Sequence, residues 1–389
     1  MARFGKKGGR KAFEKLERDA RTITFYAEDG TSWPHFEPII QELTGPMGRE
    51  ICYLTSSVDD PILESSNPKI RAFEVGEGIG RTYLFQTMEV GVLVATVPQL
   101  GIPMLPRSRR AKEIGTNYVY VFHSMMSTHM IYEPDGFDHY DTVCCVGPYM
   151  IDEIRRREQE YGLAPKELVE HGYGRLDAIR DASATGPPSV HPSDPPVVLI
   201  APSWGPNCIF ETCGEALVQT LLDAGYEVIA RPHPMTEKKA PKAIPALTKV
   251  FGSHPRFTLD TAIAAQDALH RSDLMVSDWS GAALEYAFGL ERPVLFVDVG
   301  RKVNNPEYER LGIEPFEAVI REEIGRVVSP DRLDQVPGLV DELVRGGSEF
   351  GDAIRDTREK NIFNVGTSGQ VAAALIAAKA DAYLGRGRG

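Results

Sequence analysis

The sequence predicts an α/β protein built from two doubly wound, Rossmann-like halves. Three observations predict it. Short apolar runs recur along the chain with helix-spaced segments between them, the pattern of parallel sheets covered on both faces. One proline-rich span, residues 182–196, interrupts this alternation, which then restarts. At 389 residues the chain is long enough for two domains of ordinary size.

The elements follow in order. Residues 1–21 hold eight Lys/Arg against three Asp/Glu and read as a basic, partly helical N-terminal arm. Strands are predicted over 22–27, 51–55, 70–75, 90–96, 118–122 and 142–146, with helices over 33–43 (capped by Thr31 or Ser32), 81–89 and 149–161. These make an N-terminal domain over 22–181. Pro187, Pro188, Pro192, Pro195 and Pro196 suit neither a helix interior nor a central strand, so 182–196 reads as a linker. A C-terminal domain follows over 197–368. Its strands are predicted at 197–201, 227–230, 257–259, 273–276 and 294–297. Its helices fall at 211–223, 262–270 and 282–288, the last ended by Gly289. Residues 369–389 form an alanine-rich helix and tail. A hinge between two such halves predicts an interdomain cleft, with ligands beyond the carboxyl ends of the strands.

Composition narrows the function. Hydrophobic residues at 42% and charged residues at 25% are those of a soluble globular protein. No apolar run approaches the roughly 18–20 residues of a membrane span, and residues 1–7 lack the apolar core of a secretory signal. The five cysteines have no metal-site spacing and fit a reducing cytoplasm, with Cys144-Cys145 packed in a strand. A net charge of −12 argues against nucleic-acid binding. The basic knot Arg107-Ser108-Arg109-Arg110-Ala111-Lys112, beside Ile102, Met104 and Leu105, reads either as a solvated loop or as a contact with anionic lipid.

Chemistry gathers at three predicted strand ends. Ser277-Asp278-Trp279-Ser280-Gly281 joins a strand to a helix, the geometry that aims free N–H groups at an anion. Ser280 is a good N-cap, Gly281 permits close approach of a phosphate, and Glu285 lies one turn in, where a carboxylate can accept from ribose hydroxyls. The bland alternative is an ordinary capped helix. In Arg231-Pro232-His233-Pro234 the prolines direct the histidine, and Arg231 offers a planar fork suited to phosphate; the alternative is a rigid turn with a surface arginine. His123 follows the 118–122 strand and reads either as a general base or as a cap of the next helix. A metal pair with His129 is disfavoured, because six residues put the two on different helix faces.

Several mechanisms are excluded by missing motifs. Pro202-Ser203-Trp204-Gly205 is not a Gly-x-Gly-x-x-Gly turn, and the chain has no P-loop and no Gly-x-Ser-x-Gly elbow. It has no Asp-x-Asp pair to hold a metal under a nucleotide diphosphate. A diphosphate leaving group would then be neutralised by helix N-termini, arginine and histidine, with no metal and no cofactor.

With these residues in hand, the chain resembles the CDP-glycerol glycerophosphotransferase family, the teichoic-acid polymerase and primase group. The likeness runs from about Tyr118 to Val299. It rests on the His123 segment, Val146-Gly147, Gly172-Tyr173-Gly174-Arg175-Leu176-Asp177, Pro202-Ser203-Trp204, Arg231-Pro232-His233-Pro234, and Ser277-Asp278-Trp279-Ser280 with Glu285. The resemblance implies a glycosyltransferase B-type fold with the site between its two domains. It implies attack by an acceptor hydroxyl on the β-phosphate of CDP-glycerol or another CDP-alditol, with release of CMP, in the synthesis of a cell-wall or capsule polymer. His123 would be the base. Arg231 and His233 would meet the pyrophosphate, His233 also acting in catalysis, and Ser280 and Gly281 would meet it at the helix end. Ser203, Ser277 and Asp278 complete the expected nucleotide and phosphate contacts, and Glu285 would hold ribose. The expected partners are a CDP-polyol donor and a lipid-linked or glycan acceptor, at the inner face of the cell membrane. A nucleotide-sugar glycosyltransferase of the same fold is the alternative. The chain departs from the family pattern at Phe122 and Ser124 around the base, in the additional His129, at Gly281 and at Gly205.

Overall fold

Both predicted sheets form, and every strand pair in them is parallel. The computed structural model describes residues 9–185, 194–261 and 267–386. The chain divides into two units, Met1–His123 with Tyr132–Arg175 and Ile362–Gly389, and Ser124–Ile131 with Leu176–Asn361.

The first unit carries β1 (Ile23–Ala27), β2 (Ile51–Thr55), β3 (Ile70–Glu74), β4 (Val92–Ala95), β5 (Asn117–Val121), β6 (Thr142–Cys145) and β7 (Glu167–Glu170), in the order β3-β2-β1-β4-β5-β6-β7. The second carries β8 (Val197–Ile200), β9 (Glu227–Ala230), β10 (Phe257–Leu259), β11 (Leu274–Ser277), β12 (Val294–Val297) and β13 (Gly325–Val328), in the order β10-β9-β8-β11-β12-β13. Each sheet therefore reverses direction of winding once, at β1/β4 in the first unit and β8/β11 in the second. Those are the points where a doubly wound sheet leaves room for a ligand beyond its strand ends. The central strands are buried on both faces, which is why they are mostly apolar rather than alternating.

Two strands escape the sequence reading, β7 and β13. Both lie at sheet edges, and their sequences, Glu-Leu-Val-Glu and Gly-Arg-Val-Val, keep polar residues because only part of each is covered. The helix expected over 211–223 is two helices, Ile209–Thr212 and Gly214–Asp223, separated at Cys213. The helix expected to stop at Gly289 runs as Gly281–Leu290 and ends on Glu291, which takes the left-handed φ of 54°. Gly289 serves packing instead of termination. A Cβ there would lie 2.5 Å from Ile179 Cγ2.

The units are not the contiguous halves that the sequence suggests. Residues 124–131 belong with the second unit, and the chain returns to the first at Ile362. The C-terminal helix, Ser368–Arg386, is part of the first unit's core rather than an appendage. Ala372, Ala373, Ile376, Ala377 and Ala380 share one cluster with Phe36, Ile39, Ile40 and Leu43 of the helix Trp33–Thr44. The basic arm is anchored in the same unit: Phe13 is buried against Phe73, and Arg18 donates to the Tyr383 hydroxyl at 2.5 Å. The expected linker falls largely on 186–193, and the start of the expected 262–270 helix on 262–266, both outside the described residues. Among the described residues no helix is long and apolar enough to cross a membrane.

Candidate active site

In the first unit, His123 stands just past the carboxyl end of β5, beside the switch-point strand β4. Its ring is exposed, yet its Nδ1 lies 3.2 Å from the carbonyl oxygen of Thr96, the residue that follows β4. A carbonyl only accepts, so Nδ1 carries the proton and Nε2 keeps its lone pair. Surrounding protein lowers the His123 pKa by desolvation, with the Thr96 bond opposing, so the ring is a neutral acceptor near pH 7. The backbone is held as well as the ring. Tyr173 donates its hydroxyl to the His123 carbonyl at 3.0 Å. This gives the Gly172-Tyr173-Gly174 stretch a definite task, the positioning of His123.

His35 was not visible as a site residue. It lies early in the helix that follows β1, buried, with its ring 6.2 Å from that of His123 and 5.7 Å from that of Tyr173. Burial first, and then His123 and Arg175, hold its pKa well below the usual histidine range. Its place on the switch-point side of the sheet was the available signal, since the helix after β1 begins at the strand's carboxyl end.

In the second unit the site forms where β8 and β11 end side by side. Asp278, buried, accepts from the Ser203 backbone N–H at 2.6 Å and from the Ile209 N–H at 3.0 Å. It thus ties both ends of the loop that presents Trp204. Desolvation raises its pKa, and these hydrogen bonds pull it back. Asp278 thus organises this loop. The buried Ser277 hydroxyl donates to the Ala201 carbonyl at 2.7 Å and stitches the end of β11 to that of β8. Ser203 is buried beside Asp278, its N–H already committed.

Ser280 caps the Gly281–Leu290 helix as expected, its Oγ accepting from Ala282 N–H at 3.3 Å. Gly281 is also constrained by a neighbouring segment. A Cβ there would lie 2.8 Å from Ser124 Oγ, so the glycine admits the 124–131 segment. That segment is fastened within the same unit. Ser127 donates through N–H and Oγ to Glu317, both at 2.8 Å, and Nε2 of His129 is 3.0 Å from the Ile313 carbonyl. His129 is therefore a packing residue. Glu285 is buried one turn into the helix.

His233 caps the helix Pro234–Lys239, and its Nδ1 accepts from Met235 N–H at 3.1 Å. The proton of the neutral ring is then on Nε2, the opposite tautomer to His123. Burial, and next the charge of Lys302, push its pKa down to about 4. His233 is thus a neutral donor at pH 7, suited to an anionic oxygen, while His123 is a neutral acceptor. Arg231 presents Nε and Nη2 to Asp260 at 2.8 and 2.6 Å, so that edge of its fork is occupied. Trp279 is a buried pillar: its Nε1 donates to Val299 O at 2.9 Å, and the Arg321 guanidinium stacks 3.6 Å from its ring centre.

Two of the four cations of the basic knot are paired with carboxylates outside it. Arg107 forms a bidentate contact with Asp141 and lies over Tyr118, and Arg110 contacts Glu89 and Glu113. Leu105 is buried, whereas Met104 is exposed, as are Ile79 and Tyr83. No group of three or more His, Cys, Asp or Glu able to hold a metal ion occurs among the described residues.

Comparison with known proteins bears on both units. A family model described as CDP-glycerol:poly(glycerophosphate) glycerophosphotransferase matches residues 111–305, a span that includes His123, Arg231, His233 and Ser280. The structure of the wall teichoic acid polymerase TagF superposes with a TM-score of 0.60 at 15% identity, covering 96% of this chain and 93% of that one. The Methanocaldococcus jannaschii UDP-GlcNAc 2-epimerase, in complex with UDP-GlcNAc and UDP, gives 0.56 at 13% identity over 92% and 99%. Anabaena Alr3699/HepE, in complex with UDP and glucose, gives 0.54 at 13% over 92% and 99%. No curated protein sequence matches. The two-unit α/β architecture is that of the glycosyltransferase B-type fold.

Proposed function

The chain belongs to the CDP-glycerol:poly(glycerophosphate) glycerophosphotransferase family, and from that premise we propose that it moves glycerol phosphate, or a related polyol phosphate, from a CDP-linked donor to an acceptor hydroxyl. CMP is released, and the product is a cell-surface polymer or its primer. The observation that carries this reading is the family match itself, whose span holds both directed histidines.

The chemistry assigned to each residue follows from its tautomer and partners. His123 takes the acceptor hydroxyl proton on Nε2 while Thr96 holds Nδ1–H. The acceptor oxygen bonds to the β-phosphorus, the bond from that phosphorus to the bridging oxygen breaks, and its electron pair leaves with CMP. His233 donates its Nε2–H to the diphosphate. Arg231 and the N–H groups of the Ser280-capped helix add positive potential where leaving-group charge grows. No metal enters this scheme. A lipid-linked or glycan acceptor would meet the enzyme at the cytoplasmic face of the membrane, and the exposed Ile79, Tyr83 and Met104 support such a contact.

The test is a donor panel. The protein is incubated with CDP-glycerol, CDP-ribitol and UDP-linked sugars in the presence of EDTA, and nucleotide release is followed. CMP from a CDP-alditol is the expected result. UDP release with sugar transfer would establish the nucleotide-sugar alternative, and strict dependence on a divalent cation would overturn the metal-free site.

A further inference from the structure

Lys302 has a place in the second unit that packing alone does not account for. It follows β12 at the carboxyl edge of the sheet and is half-buried, with its Nζ 4.4 Å from the centre of the Trp204 ring. The same ring lies 6.2 Å from that of His233. The ammonium thus shares a neighbour with the Arg231-Pro232-His233-Pro234 turn and stands by the β8/β11 switch point.

Among the described residues Lys302 has no ion pair. The groups facing it are Asp278, Cys208 and His233. Two of these are uncharged near pH 7: burial pushes the Cys208 thiol up to about 11, and His233 is down to about 4. Asp278 supplies attraction, but its two oxygens are taken by the Ser203 and Ile209 N–H groups. A half-buried cation with no carboxylate of its own costs free energy in the empty protein. That cost is recovered when an anion arrives.

We propose that Lys302 is a direct ligand of the donor's diphosphate, the cation that completes its neutralisation beside Trp204 and His233. This rests on the reading of the second unit as the nucleotide site. Desolvation, opposed by Asp278 and Cys208, holds the Lys302 pKa at about 8. An anion favours the charged form, so the lysine's pKa is higher in the complex than in the free protein. The contribution to binding is therefore complete below about pH 8 and is lost as pH rises through the value in the complex.

The experiment is calorimetry of CDP, UDP and inorganic pyrophosphate binding to the full chain between pH 7 and 9.5, for the wild type, Lys302→Met and Lys302→Arg. The wild type should lose CDP affinity above pH 8 and take up protons on binding CDP at pH 8.5. Lys302→Met should weaken CDP and pyrophosphate by about 10–100-fold at pH 7 and flatten the profile. Lys302→Arg should retain affinity at pH 9.5. Unchanged affinity and profile in Lys302→Met would show that the lysine only packs on Trp204. Should Lys302→Met fail to fold, absence of proton uptake by the wild type overturns the proposal by itself. If UDP binds better than CDP with the same dependence on Lys302, the lysine's role stands and the CDP-donor reading falls. If CDP is preferred but Lys302→Met changes nothing, the reverse holds. Failure of the wild type to bind any of the three would overturn both.

Discussion

Replacing Asp278 by alanine should loosen the loop between Ser203 and Ile209 and lower stability. Two buried backbone donors, Ser203 N–H and Ile209 N–H, lose their acceptor. Each unsatisfied buried donor costs about 1–3 kcal/mol, so the total is about 2–6 kcal/mol. In a unit of roughly 150–250 residues, 1 kcal/mol moves the midpoint by about 2–4 °C. The expected fall in Tm is therefore of order 10 °C. Asp278→Asn retains one accepting oxygen but turns an amide N–H₂ toward the other donor, so it should lose about half as much. The assay is thermal unfolding by circular dichroism, joined to limited proteolysis. New cleavage should appear near Pro202 and Cys208, the stretch that Asp278 ties down, and CDP binding should weaken because Trp204 is no longer held. A Tm within 1 °C of wild type, with an unchanged cleavage pattern, would refute the role assigned to Asp278.

His123→Ala should slow transfer by about 10²–10⁴-fold while leaving CDP binding intact. Because the His123 pKa is lowered, wild-type kcat/KM should rise with pH through a value below 6.5 and be level by pH 7; full turnover by the variant would remove the assignment. Ser277→Ala should cost about 1 kcal/mol through loss of its bond to Ala201 O and leave CDP affinity unchanged, whereas a large loss of affinity would establish Ser277 as a ligand. Gly289→Ala should destabilise by about 1–3 kcal/mol, because its methyl meets Ile179 Cγ2 at 2.5 Å; a neutral or stabilising result in urea unfolding would show that Ile179 yields freely. His171 is buried with its pKa at about 4, below the unfolded value. Its contribution is present above about pH 6.5 and lost as pH falls toward 4, so His171→Phe should flatten the decline in stability between those values.

The alternation of apolar runs and helical spacing was enough to locate eleven of the strands, because a strand buried on both faces must be apolar along its length. The same rule hid β7 and β13, whose edge positions let polar residues remain. Motif chemistry at strand ends pointed to His123, His233 and Ser280. What it could not do was show which polar atoms are already committed within the protein. Ser277 and Asp278 look the same in sequence whether or not their polar atoms are tied to neighbouring backbone, and only the structure shows those bonds. Tautomers are of the same kind. His123 and His233 are alike in sequence, and Thr96 O and Met235 N–H make one an acceptor and the other a donor. Lys302 and His35 lay outside every local pattern because each gains its neighbours through the sheet order rather than along the chain. Sequence by itself determined the fold class and the family, since both depend on periodicity and short strings. The tertiary structure decided which polar atoms are already satisfied, because partners distant along the chain settle that question.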